Sequence, residues 1–232
     1  MRLYLLRTGT IRAIEAPVPA YLLVDGDGAT LVDTGYPIDL GADPDGFVTV
    51  SPAENLLTQL ERLDVRPADV HRVICTHLDP DHAGNHDRFP DAEFVVQRRH
   101  LDAARAGDVD RIELIRDRWD APGLRYRLVD GDVELSPCLR LLATDGHVPG
   151  HQSVLVRLPN TGAVLLAGDA VPMAGCADAE RRPITPFDVD GPAVRRSTAR
   201  LAAIAAETGA LVVYGHDAAQ WATLRTFPNC YD

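Results

Sequence analysis

Apolar residues along this chain recur with two periods, and the changes from one to the other outline its elements. In AYLLVDGDGATLVDTG (20–35) two apolar runs flank Asp25-Gly26-Asp27-Gly28, a composition that suits a tight turn and predicts a hairpin. Leu56, Leu57, Leu60 and Leu63 follow helical spacing, which predicts a helix over 51–65 with Pro52 at its first position and Ser51 and Glu54 as a capping box. VHRVICTH (70–77) and EFVVQ (93–97) read as strands, and 98–119 reads as helix. RYRLVDGDVEL and LRLLAT predict an antiparallel meander with turn signals between its strands. The stretch 191–209 predicts a helix closed by Gly209, and ALVVYGHD (210–217) the last buried strand. Alternation of this kind predicts a layered α/β fold.

YLLVDGDGATLVDTG (21–35) and SVLVRLPNTGAVLLAGD (153–169) are both strand, glycine-containing turn, strand, and each ends near an aspartate beside a glycine. Asp33 and Asp169 thus fall at comparable places. Two βα halves meeting face to face around a shared cleft account for this, and so does chance similarity of two hairpins. The stretch 172–190 is the most loop-like and is expected to border a pocket.

Composition narrows the function classes. A chain of 232 residues, 46% hydrophobic, can bury a substantial core, which excludes general disorder. A net charge of −11 argues against a nucleic-acid partner, since phosphate binding needs a positive surface. No apolar run approaches the length of a membrane span, and MRLYLLRTGTIRA lacks the apolar core of a secretion signal. Cys75, Cys138, Cys176 and Cys230 show no CxxC pairing and are expected to be reduced, so a cytoplasmic location is expected.

The chemistry concentrates in CTHLDPDHAGN (75–85), where a strand runs into a loop carrying His77, Asp79, Asp81 and His82. Neutral imidazole and carboxylate are the donors of hydrolytic zinc sites and also suit iron or manganese. A solvated polar turn would not require so many. Three more apolar strands end in glycine plus a donor: ATDGHVPGHQS carries His147 and His151, LLAGDA carries Asp169, and VVYGHD carries His216. Asp169, if buried, is a charge that needs a partner. No GxSxG is present, and Cys75 reads as a buried strand residue. His71, His86 and His100 read as surface or structural.

The order LVDTG, THLDPDHAGN, DGHVPGH, LAGDA, YGHD resembles the metallo-β-lactamase superfamily, whose motif is His-x-His-x-Asp-His, then His, Asp, His. It is most similar to the N-acyl homoserine lactonases, through APVPAYLLV, DHAGN followed by VVQRRHLDAA, VPGHQSVLV and GHDAAQWATLRTFPNCYD. The resemblance covers nearly the whole chain. It implies an αββα four-layer sandwich in a single domain over 1–232, with a two-ion site between the sheets. Carried over, His77 and His147 bind the first ion, Asp81, His82 and His216 the second, and Asp169 both. Asp33 orients the ligands from behind, with Asp217 either in a similar part or a solvated strand end, and His151 packs and hydrogen-bonds nearby. The implied ions are two divalent metals, zinc first, with iron or manganese as alternatives. The implied activity is a metal-dependent, quorum-quenching hydrolase opening a lactone or ester by a hydroxide held between the ions, with Asp81 carrying the proton to the departing alkoxide. Its expected partner is the small-molecule substrate, with no nucleic acid and no membrane; a homodimer is the candidate assembly.

Two departures stand out. Asp79 occupies a position where the motif has histidine, and it is expected to remain a ligand. Pro172 stands where the lactonases carry a tyrosine that contacts the lactone, leaving Tyr36, Tyr126 or Tyr214 to replace it only if folding brings one near. Hydrolysis of another ester or phosphoester remains open, as does an iron redox protein, since flavodiiron relatives place a carboxylate at the position of Asp79. β-Lactamases with cysteine at the position of Asp169, glyoxalase II enzymes with a further helical domain, and tRNA-processing nucleases fit less well.

Overall fold

The computed structural model describes residues 1–26, 28–42 and 46–232. Seven strands form one sheet in the order β4-β1-β2-β3-β5-β6-β7. They are β1 (Arg2–Ile11), β2 (Ala16–Asp25), β3 (Gly28–Val32), β4 (Val48–Thr49), β5 (Val70–Ile74), β6 (Glu93–Gln97) and β7 (Arg125–Val129). A five-stranded sheet runs β12-β11-β10-β9-β8, from β8 (Val133–Ser136), β9 (Leu139–Ala143), β10 (Gln152–Leu158), β11 (Gly162–Gly168) and β12 (Leu211–Tyr214).

Period-2 alternation with apolar residues on both faces makes this a four-layer structure. Leu23, Ile74 and Val95 of the first sheet meet Leu141, Val154 and Leu166 of the second in a core between the sheets. Their neighbours in sequence point outward. Leu22, Val73 and Phe94 pack beneath Leu56, Leu60 and Leu101 of the helices Leu56–Glu61 and Arg98–Ala106. Leu142, Leu155 and Leu165 pack beneath Leu201 of the helix Gly191–Thr208. This is the αββα sandwich that the motif order implied.

Several sequence expectations hold in place. β2 and β3 form the hairpin, antiparallel from Tyr21↔Val32 to Asp25↔Gly28, although Asp27 of its turn lies outside the described residues. The helix Gly191–Thr208 ends at Gly209 in the left-handed conformation. Others need correction. RYRLVDGDVEL is not one hairpin: β7 pairs parallel to β6, and the chain crosses to the other sheet, where β8 and β9 do pair antiparallel as expected. Ser51 and Glu54 do exchange capping-box hydrogen bonds, but around a turn, and the helix proper starts after Asn55, whose side chain accepts from Thr58 N. The helix expected over 98–119 stops at Gly107, whose φ of 78° closes it, and resumes only as Asp110–Ile115 (3₁₀) and Arg116–Trp119. β12 is an edge strand, with Leu211, Val212 and Tyr214 only half-buried.

His86 is part of this core. Its ring packs 4.7 Å from Phe94, its Nε2 lies 3.9 Å from Cys75 Sγ, and burial pulls it down to about 3. The unfolded chain takes the proton near pH 6.5, the folded one only near 3. Stability from this group is therefore complete above about pH 6.5 and lost as pH falls toward 3. Between pH 7 and pH 5 the protein should lose about 2 kcal/mol more unfolding free energy than a His86→Gln variant, measured by urea titration. Equal losses would show that His86 titrates normally.

Candidate metal centre

The strands deliver their polar ends to one edge of the sandwich because β3, β5, β11 and β12 run in matching directions within their sheets. Asp33 follows β3, the loop 75–85 follows β5, His147 follows β9, Asp169 follows β11 and His216 follows β12. Tight glycines make the approach possible. Gly168 has φ of 55°, and a Cβ there would meet His151 Nε2 at 3.0 Å. Gly146, with φ of 132°, lies against the backbone nitrogen of Val194 with no room for a side chain.

Two donor groups result: His77, His147 and Asp169, and Asp81, His82 and His216, with the ligand-type atoms of each group within 4.8 Å of one another. Asp169 faces both. Its Oδ2 is 3.4 Å from His147 Nε2, while its Oδ1 is 3.4 Å from His82 Nε2 and 3.1 Å from His216 Nε2. Asp81 Oδ2 lies 3.7 Å from His82 Nε2 and 3.6 Å from His216 Nε2. Asp79 Oδ2 lies 3.4 Å from His77 Nε2 and 3.2 Å from His147 Nε2, so its carboxylate adjoins the first group.

The partners behind these rings decide which nitrogen is free. His82 Nδ1 donates to Asp33 Oδ2 at 2.8 Å, and His216 Nδ1 to Pro17 O at 2.9 Å. His147 Nδ1 lies 3.3 Å from Asp188 Oδ1. The Thr76 hydroxyl gives its single hydrogen to Asp33 Oδ2 at 2.7 Å, so toward His77 Nδ1 at 3.0 Å it accepts. Every one of these Nδ1 atoms is engaged with an oxygen, and each Nε2 lone pair turns to the cleft. His77 Nε2, His82 Nε2 and Asp79 Oδ1 are buried without a hydrogen-bond partner, as cation ligands would be in a protein taken without its ions.

Charge follows the same layout. Burial works against the Asp169 carboxylate, but His216, His82 and His147 more than reverse it and hold the group well below the usual carboxylate range. Burial likewise opposes a charged His82, but without an ion Asp81, Asp169 and Asp33 overcome it and favour a second proton on Nε2, the place a cation would take. Asp33 itself is pushed up by burial, in part offset by His82 and Thr76, and it sits at φ of 59°, a left-handed conformation an aspartate holds only when its surroundings enforce it.

The expected supporting residues divide. Asp33 Oδ2 meets His82 Nδ1 at 2.8 Å, on the side of the ring away from the cleft. His151 accepts from Asp169 N through Nε2 at 3.2 Å and holds Thr144 Oγ1 at 2.8 Å through Nδ1, so it braces the ligand loops. Asp217 caps the helix Ala218–Trp221 and accepts from Ala174 N at 2.7 Å. Pro172 contributes its carbonyl, which accepts from His216 N at 2.7 Å. Of the three tyrosines, Tyr126 is pinned to Trp119 O and Tyr214 packs in the outer layer with Val171 and Cys176. Tyr36 is the one of the three whose phenol is pushed up by a carboxylate of these groups, by burial first and then by Asp81 and Asp39.

Four contributors went unread in the sequence. Thr76 adjoins the motif and could have been noticed as a donor to a carboxylate. Asp188 lies in the loop flagged as bordering a pocket, and is held by Thr185 N and Oγ1 at 2.9 and 3.0 Å. Arg182 is fully buried, with Nη2 3.4 Å from Asp188 Oδ1. Arg111 donates from Nε to Asp79 Oδ2 at 2.6 Å.

Comparison with known proteins places this geometry. The profile of the metallo-beta-lactamase superfamily matches residues 14–216. The N-acyl homoserine lactonase AttM of Rhizobium johnstonii is 34% identical over 262 aligned positions, covering 100% of this chain and 98% of that protein. The N-acyl homoserine lactonase AiiA of Bacillus thuringiensis subsp. kurstaki is 31% identical, covering 94% and 88%. A 1.4 Å structure of an N-acyl homoserine lactone hydrolase, with the product N-hexanoyl-L-homoserine at its catalytic metal center, superposes with a TM-score of 0.85 at 28% identity, covering 99% of this chain and 98% of that one.

Proposed function

The chain belongs to the metallo-β-lactamase superfamily, alongside its N-acyl homoserine lactonases, and from that premise we propose that it is a metal-dependent hydrolase that opens N-acyl homoserine lactones. The observation that carries the reading is Asp169, one carboxylate reaching both donor groups from a position buried among three imidazoles.

His77, Asp79, His147 and Asp169 would hold one divalent ion, and Asp81, His82, His216 and Asp169 the other. The mixed imidazole and carboxylate set suits zinc, and it also accepts iron or manganese. Such ions, when bound, supply Lewis acidity toward a carbonyl and make a water nucleophilic near neutral pH. The protein's own contribution is orientation. Asp33, Thr76, Asp188 and the Pro17 carbonyl lock the imidazoles in the tautomer that presents Nε2. Asp81, more exposed than Asp169 at 19% against 11%, takes the part of proton carrier to the departing alkoxide. Phe47 and Phe187, half-exposed with ring centroids 6.3 Å apart, offer an apolar surface beside Asp188 for an acyl chain. Free Cys75, Cys138, Cys176 and Cys230 support a reducing, cytoplasmic setting.

The test is stripping with chelator, reloading with Zn²⁺, Mn²⁺ or Fe²⁺, and assay against homoserine lactones, aryl esters and phosphotriesters. Stripping should abolish lactone opening, and reloading should restore it with about two ions per chain. Reloaded protein that leaves every lactone intact would refute the lactonase reading. Iron with oxygen reduction in its place would make it a redox protein.

A further inference from the structure

Asp79 has a companion that its sequence position does not announce. Arg111, from the 3₁₀ segment Asp110–Ile115, donates from Nε to Asp79 Oδ2 at 2.6 Å and from Nη2 to His147 Nε2 at 3.3 Å. Its guanidinium also lies 5.9 Å from the Phe187 ring centroid, and its side chain is 26% exposed. The arginine therefore touches the carboxylate that adjoins the first group and one imidazole nitrogen of that group, which an ion would need.

A carboxylate in place of an imidazole adds a negative charge to a buried site. A guanidinium at 2.6 Å supplies the opposite charge, so the two together add none, as a neutral imidazole would. The converse also follows. Were residue 79 neutral, the guanidinium would stand unpaired against His147 and a divalent ion, cation against cation.

Resting on the metal reading above, we propose that Arg111 and Asp79 act as one charge-neutral unit in place of an imidazole, Arg111 being a positioning residue whose cation is compatible with the first ion only while residue 79 is a carboxylate.

A double-mutant cycle tests this with wild type, D79H, R111M and D79H/R111M, and with D79H/R111K added. The readouts are the affinity for the Zn²⁺ of the first group by chelator competition, the number of bound ions, and the visible spectrum of the Co²⁺-loaded protein. D79H should hold that ion about tenfold to a hundredfold more weakly than D79H/R111M, the range over which groups behind the ligands alter metal affinity. D79H/R111K should stay as weak as D79H, because the charge remains. In the Asp79 background, R111M should bring no such gain, and it should shift the Co²⁺ spectrum as the carboxylate loses its partner. If R111M changes affinity by the same factor in both backgrounds, or if lysine rescues D79H as well as methionine does, the unit does not exist. Wild type that binds no Zn²⁺ would instead overturn the metal reading itself, and this proposal with it. R111Q, uncharged and similar in shape, replaces R111M if the methionine variant does not fold.

Discussion

Replacing Asp169 with asparagine should lower kcat/KM for lactone opening by about a thousandfold or more, equivalent to about 4 kcal/mol of barrier. The size follows from its place. Other carboxylates at the site adjoin one donor group, whereas Asp169 reaches His147 through Oδ2 and both His82 and His216 through Oδ1. Asparagine keeps the volume and one carbonyl oxygen but removes the charge that would offset two cations, so both ions lose affinity together. Metal analysis after dialysis should fall from about two ions per chain toward none. Far-UV circular dichroism and the melting temperature in chelator separate this from unfolding, and both should match chelated wild type. A variant that keeps both ions and most of its activity would show that Asp169 is not shared between them.

Much of that site was legible before folding, for a definable reason. A donor placed directly after an apolar strand and a glycine has little freedom in where it can go. His147, Asp169 and His216 follow that form, His77 comes after its strand through Cys75 and Thr76 without a glycine, and the fold brings them together. Asp33 was legible in the same way, at the end of β3. What could not be read depends on contacts between distant segments. Asp188 reaches His147 across 41 positions and Arg111 reaches Asp79 across 32. Arg111 was hidden further by the expectation of a continuous helix over 98–119, on which it would be one more surface cation. Gly107 breaks that helix, and the altered path turns Arg111 into the cleft.

The misread meander has a related cause. Asp130-Gly131-Asp132 has the composition of a hairpin turn, yet β7 and β8 belong to different sheets. Local sequence encodes that the chain reverses, not which partner it then finds. Gln97 supplies part of the answer: its side chain accepts from Gly131 N at 3.0 Å and donates to Gly131 O at 2.8 Å, anchoring the crossing to the end of β6. The four-layer architecture was legible only through the family resemblance that the motif order carries, and the structure shows its physical basis in strands whose two apolar faces are both covered.

Asp81→Asn should separate the two roles proposed for this one residue. As a donor beside His82 and His216, Asp81 contributes an oxygen, which asparagine retains. As a proton carrier it must bind and release a proton, which asparagine cannot do. The choice of substrate tells these apart. Lactone opening expels an alkoxide, too basic to depart without a proton, so kcat should fall about 10²–10⁴-fold. A p-nitrophenyl ester expels a stable phenolate that needs none, and its turnover should fall less than about tenfold at matched metal content. The comparison holds ion occupancy constant and varies only the leaving group. If both substrates slow by the same factor, Asp81 serves only as a ligand, and the proton must come from water or from another group such as the Tyr36 phenol, which already responds to this carboxylate.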